Sequence, residues 1–192
     1  MTQALKRREV VAELLSGIES ELIVTGLGSP VSDVVATKDR PLNFYLLGAM
    51  GLSTSVGFGL ALAQPGRNVI VVTGDAELMM NPGALANIGV RKPCNLSVVV
   101  LDNERFGETG EQTSHTAAGV DIAGIAMASG FAAAETVRTM DRIAAVRQAL
   151  TARAGPSLAV IKVMPERNPV MMPPKSGVIL KSRFRQALLQ QY

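Results

Sequence analysis

Apolar and polar positions along the chain follow two rhythms in turn. In "LKRREVVAELLSGIE" the residues Leu5, Val10, Val11, Leu14, Leu15 and Ile18 recur on one face at helical spacing. "ELIVTGLGSP" then predicts a short apolar strand ending in a glycine turn, and "VSDVVATK" a short helix. "PLNFYLLGAMG" reads as extended up to its glycines, and "LSTSVGFGLALAQ" as a helix closed by Pro65 and Gly66. "NVIVVTGD" and "LSVVVLDN" are unbroken apolar runs, the pattern of parallel strands buried on both faces. Between them, Pro82 suits the first turn of a helix over "GALANIGV". Further on, "VDIAGIAMASG" predicts a helix capped by Asp121 and ended at Gly130. "FAAAETV" reads as a strand, "MDRIAAVRQALTAR" as a helix and "SLAVIKVM" as a strand. The Pro-rich tail "PERNPVMMPPKSG" leads into a last helix over "VILKSRFRQALLQQ".

Strands alternating with helices predict an α/β fold, a doubly wound, mostly parallel sheet with helices on both faces. A single domain over residues 1–192 is expected, with the tail and last helix occupying 165–192. Ligands of such sheets sit outside the carboxyl ends of the strands. Residues 25–30, 74–77 and 101–109 are therefore expected to meet.

Charge narrows the function classes. The formal charge of +3 is too small and too dispersed for a nucleic-acid surface. Basic residues gather toward the ends, with Lys6, Arg7 and Arg8 early and Lys175, Lys181, Arg183 and Arg185 late, and they read as solvated helix faces. One cysteine, Cys94, and one histidine, His115, exclude an internal disulfide and any Cys/His zinc or iron–sulfur cluster within the chain. Cys94 reads as buried, inert packing. The Met79–Met80 and Met171–Met172 pairs read as core and loop packing. The first residues form no long apolar run, and no stretch reaches membrane-spanning length without charge or glycine, so a cytoplasmic chain is expected.

The chemistry lies in two strand ends, "GDAE" and "LDNERFG". One helix and one strand separate Asp75 from Asn103, which puts a carboxylate and an amide oxygen on one rim of the sheet. Both are hard oxygen ligands, and a backbone carbonyl after Asn103 can add a third. Mg²⁺ takes such oxygens together with phosphate oxygens. N–H groups at the helix start around residues 76–83 can face an anion. A cation held by Asp75 would let a diphosphate occupy a turn with no basic residue nearby in sequence.

"GDAELMMNPGALANIG" followed by "LDNERFG" resembles the diphosphate-binding signature of thiamine diphosphate (TPP) enzymes, usually GDG followed by Asn one helix and one strand later. "LLGAMGLSTSVGFGLALAQPGRNVIVVTGDA" is similar to the matching region of the 2-oxoacid decarboxylases, and the likeness covers roughly residues 20–165. The resemblance implies that Asp75, Asn103 and the Arg105 carbonyl hold Mg²⁺. It implies that Gly74, Ala76 and Glu77 hold the diphosphate, with the turn at Gly26, Gly28 and Ser29 and the segment Phe106, Gly107, Glu108 and Thr109. Met50 would wedge the cofactor into its bent form, and the Gly48 carbonyl would accept from its amino group. Two departures stand out. Ala76 replaces the usual glycine, so it needs a negative φ or carries strain, and Glu77 puts a second carboxylate beside an anion.

Nothing in the chain resembles the pyrimidine-binding domain that such enzymes require. The resemblance thus implies a hetero-oligomer with a pyrimidine-binding alpha subunit of similar size, acting on a small 2-oxoacid. Among split-chain members the sequence is similar to the sulfopyruvate decarboxylase beta subunits, and in the same region to the phosphonopyruvate decarboxylases. Their TGGQ stretch appears here as Thr109-Gly110-Glu111-Gln112, an added acid that bears on the substrate. His115 follows as a candidate substrate contact or proton donor. Three alternatives stand beside this reading: a 2-oxoacid oxidoreductase subunit, which commonly carries cluster cysteines, another TPP-dependent carbon–carbon lyase, and a non-catalytic partner that keeps only the fold. The segment "TGLGSPVS" lacks the third glycine of a dinucleotide turn.

Overall fold

The computed structural model describes residues 4–189. Six parallel strands form one sheet in the order β2-β1-β3-β4-β8-β7. They are β1 (Leu22–Thr25), β2 (Asn43–Tyr45), β3 (Val69–Gly74), β4 (Leu96–Asp102), β7 (Ala133–Val137) and β8 (Ser157–Lys162). Side chains of a strand alternate between the faces of its sheet. Ile70, Val72, Val99, Leu101 and Ile161 accordingly pack with α1 (Arg7–Leu14), α2 (Ser29–Thr37) and α7 (Ile143–Thr151) on one face. Val69, Val71, Val98, Val100 and Val160 pack with α3 (Ser53–Ala63), α5 (Gly83–Arg91) and α6 (Ile122–Ser129) on the other. Apolar cover on both sides is the reason that the central strands read as unbroken apolar runs.

The chain turns to opposite sides of β1 after β1 and after β2, so that β2 and β3 flank it. Such a reversal leaves a crevice at the carboxyl ends of β1 and β3, where α/β sheets take ligands.

Several expected elements change in extent. Helix α1 is shorter than its apolar pattern, because Gly17 at φ +76° follows its end, although Ile18 still reaches the core. Only Asn43–Tyr45 of the expected extended stretch pairs with a neighbour. A one-turn helix, α4 (Asp75–Leu78), starts on the motif aspartate, and a short hairpin, β5 (Arg105–Phe106) with β6 (Gln112–Thr113), follows β4. Neither has the length that makes periodicity readable. Asp121 caps α6 as expected, its carboxylate accepting the Gly124 N–H at 3.0 Å. The last helix, α8 (Gly177–Leu189), closes the β2 edge with Leu180 in one layer and Phe184 in the other. Gln190 and Gln191, also expected in it, lie outside the described residues.

Two side-chain expectations are corrected. Cys94 is exposed, because it sits in the turn between the left-handed cap of α5 and β4. Met80, Met171 and Met172 are exposed as well, on a helix-end turn and on the tail. No helix among the described residues is long and apolar enough to cross a membrane.

The small residues of α3 divide by face. A Cβ on Gly57 would lie 2.2 Å from Val71 Cγ2, so that glycine serves packing on the sheet. Gly59 faces outward with nothing within 4 Å of a Cβ. Gly59→Ala is expected to stabilise the isolated chain by up to about 1 kcal/mol through helix propensity alone. A thermal melt checks this, and a lowered midpoint would contradict it.

Candidate functional site

Three strand ends build one cleft. After β1, the turn through Gly28 runs at φ +79° and ψ −140°, a region that side chains other than hydrogen disfavour, and it delivers Ser29 and Pro30 as the first turn of α2. After β3, Gly74 stays extended and the backbone enters α4 at once, so the first-turn N–H groups at Ala76 and Glu77 have no helical acceptor. After β4, the Asn103 Oδ1 accepts the Arg105 N–H at 3.1 Å and Glu104 takes φ +62°, which turns the chain into the hairpin.

The cleft is lined by residues 28–29, Met50, residues 74–77, Asn103 and residues 105–109, with Leu27, Pro30 and Leu101 as apolar wall. Most of the expected site residues are therefore neighbours. Gly26 lies buried below the cleft rather than on its wall, and Gly48 is exposed next to Met50. His115 is not brought to the cleft. It is exposed on a 3₁₀ turn, His115–Ala118, with its ring edge-on to Phe106 at 6.0 Å.

Asp75 is the electrostatic centre. It is 2% exposed, and its Oδ2 accepts the Ser114 hydroxyl and lies 3.1 Å from the Thr116 hydroxyl. Thr116 is also 2.8 Å from Asp102 Oδ1, so its single proton can serve only one of the two carboxylates. The two acids differ in one respect. Lys162 Nζ lies 2.7 Å from Asp102 Oδ2, whereas among the described residues no Lys or Arg pairs with Asp75. Burial pushes the Asp75 carboxyl above its ordinary range, the Ser114 hydroxyl draws it back, and the Asp102 charge pushes it further up. A buried carboxylate in this position must take a proton or a cation.

Among the described residues no three His, Cys, Asp or Glu side chains group as a metal cluster. Asp75, the Asn103 amide oxygen and backbone carbonyls are the available donors. An all-oxygen set with one carboxylate suits Mg²⁺ that draws its remaining ligands from phosphate and water, and it does not suit zinc. The residues present thus fit a magnesium diphosphate.

Both departures from the expected signature find a structural place. Ala76 is not among the residues at positive φ, because α4 needs none there. Glu77 is 4% exposed, and its Oε2 accepts the Thr73 hydroxyl at 2.8 Å. The same carboxylate fills the space a side chain on Gly26 would need, 1.4 Å from its Cβ position. It is committed to the junction of β1, β3 and α3. Burial raises its pKa, and the Thr73 hydroxyl draws it back.

The sequence reading missed Ser114 and Thr116, which hold Asp75, Asp102 and Lys162, which pair behind Thr116, and Arg7, which lines the cleft although it was expected on a solvated face. The cluster of hydroxyls in "TSHT" was the one local signal for the first pair.

The family described as "Thiamine pyrophosphate enzyme, C-terminal TPP binding domain" matches residues 31–163. The sulfopyruvate decarboxylase subunit beta of Methanocaldococcus jannaschii is 34% identical over 187 residues, covering 95% of this chain and 97% of that one. The phosphonopyruvate decarboxylase of Streptomyces viridochromogenes is 35% identical over 143 residues, 74% of this chain and 36% of that one. The crystal structure of a putative thiamin diphosphate-dependent enzyme from Mycobacterium smegmatis superposes with a TM-score of 0.70 at 25% identity, over 85% of this chain and 33% of that one. The chain thus spans nearly all of the first relative and about a third of the other two.

Proposed function

Because this chain belongs to the thiamine pyrophosphate enzymes, as a C-terminal TPP-binding domain, we propose that it is the diphosphate-binding beta subunit of a heteromeric 2-oxoacid decarboxylase of the sulfopyruvate and phosphonopyruvate type. The observation that carries the reading is Asp75, a buried acid at the switch point of the sheet with no Lys or Arg partner among the described residues. Its demand for a cation and the cleft's free first-turn N–H groups are complementary to a magnesium diphosphate.

In this reading Asp75, the Asn103 side chain and the Arg105 carbonyl hold Mg²⁺. Backbone N–H groups of residues 28–29, 76–77 and 107–108 would take the diphosphate oxygens, the Thr109 N–H being given to the Phe106 carbonyl at 3.3 Å. Met50, on the cleft wall, and the Gly48 carbonyl next to it would hold the organic part of the cofactor. Leu27, Leu101 and Phe106 keep water from the reacting end. Bound thiamine diphosphate supplies the carbon nucleophile and electron sink that loss of CO₂ from a 2-oxoacid requires, leaving an aldehyde. A pyrimidine-binding alpha subunit covers the exposed loop at residues 48–50 and completes the site. The relative named as a beta subunit, of nearly the same length, supports that division of labour. Glu111, the last residue of the hairpin loop, stands 4.0 Å from the Arg167 Nε, so the added acid has a basic neighbour in the groove next to the cleft.

The test is native mass spectrometry of the chain purified from its own host with Mg²⁺, followed by CO₂ release from sulfopyruvate, phosphonopyruvate and pyruvate. A complex with a second chain and the mass of TPP, with turnover of at least one of these acids, is expected. A preparation that takes up no TPP at any Mg²⁺ concentration sinks the proposal. Turnover that depends on a ferredoxin-like acceptor would favour the oxidoreductase instead.

A further inference from the structure

The cleft contains a basic side chain that lies outside every motif. Arg7 opens α1, yet it is 4% exposed, and it lines the cleft beside residues 28–29, Asn103 and Glu108. It also lines the adjoining groove, which shares the β1–α2 turn and the hairpin tip with the cleft but not Asp75 or Met50. Arg7 therefore stands at the end where the two loops meet.

Its partners leave part of it unused. Asp33, fully buried on α2, accepts the Arg7 Nε and, at 3.0 Å, the Arg8 Nε. Two guanidinium groups thus face one carboxylate. Arg8 gives its Nη2 to the Ser32 hydroxyl at 3.2 Å and the Pro169 carbonyl at 2.9 Å, tying α1 to the tail. Neither terminal nitrogen of Arg7 has a hydrogen-bond partner among the described residues, and Glu108 makes no ion pair with it. Bracing α1 to α2 is already done by Arg8. What Arg7 adds is a positive charge and a planar pair of donors, held from behind by Asp33 and opening on loops rich in backbone N–H groups. A guanidinium presented in this way matches a tetrahedral oxyanion.

On the functional reading above, we infer that Arg7 binds the outer phosphate of the cofactor's diphosphate. The turn, with no basic residue nearby in sequence, obtains one from near the start of the chain. Mg²⁺ and Arg7 then share the diphosphate charge from two sides.

Calorimetric titration of the assembly isolated from the host, with Mg²⁺ present, tests this. Arg7→Gln is expected to weaken thiamine diphosphate roughly 10- to 100-fold, and to leave thiamine monophosphate, which has no outer phosphate, unchanged. Asp33→Asn removes the same ion pair from its other side and is expected to change thiamine diphosphate affinity by less than about 3-fold. Equal losses in the two variants, or equal losses for both thiamine phosphates, would make Arg7 a brace and overturn the inference. Unchanged thiamine diphosphate affinity with a raised KM for the oxoacid would assign Arg7 to a substrate anion, and also overturn it. A wild-type assembly that takes up no thiamine diphosphate would instead remove the functional reading on which the inference rests.

Discussion

Asp75→Asn is expected to raise the stability of the metal-free chain while removing its affinity for magnesium and thiamine diphosphate. The opposite signs have one cause. The native fold buries the Asp75 carboxyl beside Asp102, with the Ser114 and Thr116 hydroxyls as its side-chain partners, and burial lifts its pKa above the ordinary carboxylate range. The folded chain then binds a proton more tightly than the unfolded chain does. Stability is fully present below the unfolded value, near 4, and falls as pH rises toward the raised native value. Asparagine keeps an oxygen for Ser114 and Thr116 without the charge, so the variant should lose this part of the pH dependence. The expected gain near neutral pH is about 1–2 kcal/mol, or roughly 2–8 °C in the melting midpoint. The loss in cofactor affinity should be roughly 100-fold or more, since even outer-shell changes at metal sites cost 10- to 100-fold. Paired melts and titrations of both proteins decide the matter. A destabilised variant, or one that still binds magnesium and the cofactor normally, would show that Asp75 is an ordinary structural acid.

Gly89→Ala is expected to destabilise the chain strongly. Gly89 lies in α5 where that helix crosses the end of α6. A Cβ there would sit 1.7 Å from the Ser129 carbonyl oxygen and 2.6 Å from its carbon. Both are backbone atoms and cannot rotate away. Helix propensity favours alanine by about 1 kcal/mol, but overpacking of rigid atoms costs up to about 3 kcal/mol and occasionally more. The clash therefore wins, and the net loss should be about 2 kcal/mol. Urea unfolding should show a lower midpoint with an unchanged slope. The outward-facing Gly59→Ala, with the same chemistry and no neighbour within 4 Å, supplies the contrast. Equal behaviour of the two variants would mean that α5 and α6 can separate at no cost. Because α5 follows the turn that carries Asp75, a shift of α5 is also expected to weaken cofactor binding.

The sequence by itself determined the α/β class, the parallel sheet and the meeting of the strand ends. The reason is that periodicity is local: a strand buried on both faces must be apolar throughout, as in Val69–Gly74 and Leu96–Asp102, and a helix packed on one side must repeat at 3.6 residues. Once strands are parallel and connected by helices, their carboxyl ends share a rim, so Asp75 and Asn103 had to be neighbours. Short elements such as α4 and the β5–β6 hairpin escape this logic, because a turn or two residues carry no period. Burial of polar groups escapes it too. Arg7 and Cys94 each contradict their residue type's usual place, the first drawn inward by Asp33 on another helix and the second left outside by a turn. Only the tertiary structure decided which acid near the rim is paired, since Lys162 reaches Asp102 from the neighbouring strand β8, and among the described residues no Lys or Arg reaches Asp75. Pairings of that kind depend on which distant segments the sheet order brings together, and no local pattern of hydrophobic and polar residues records it.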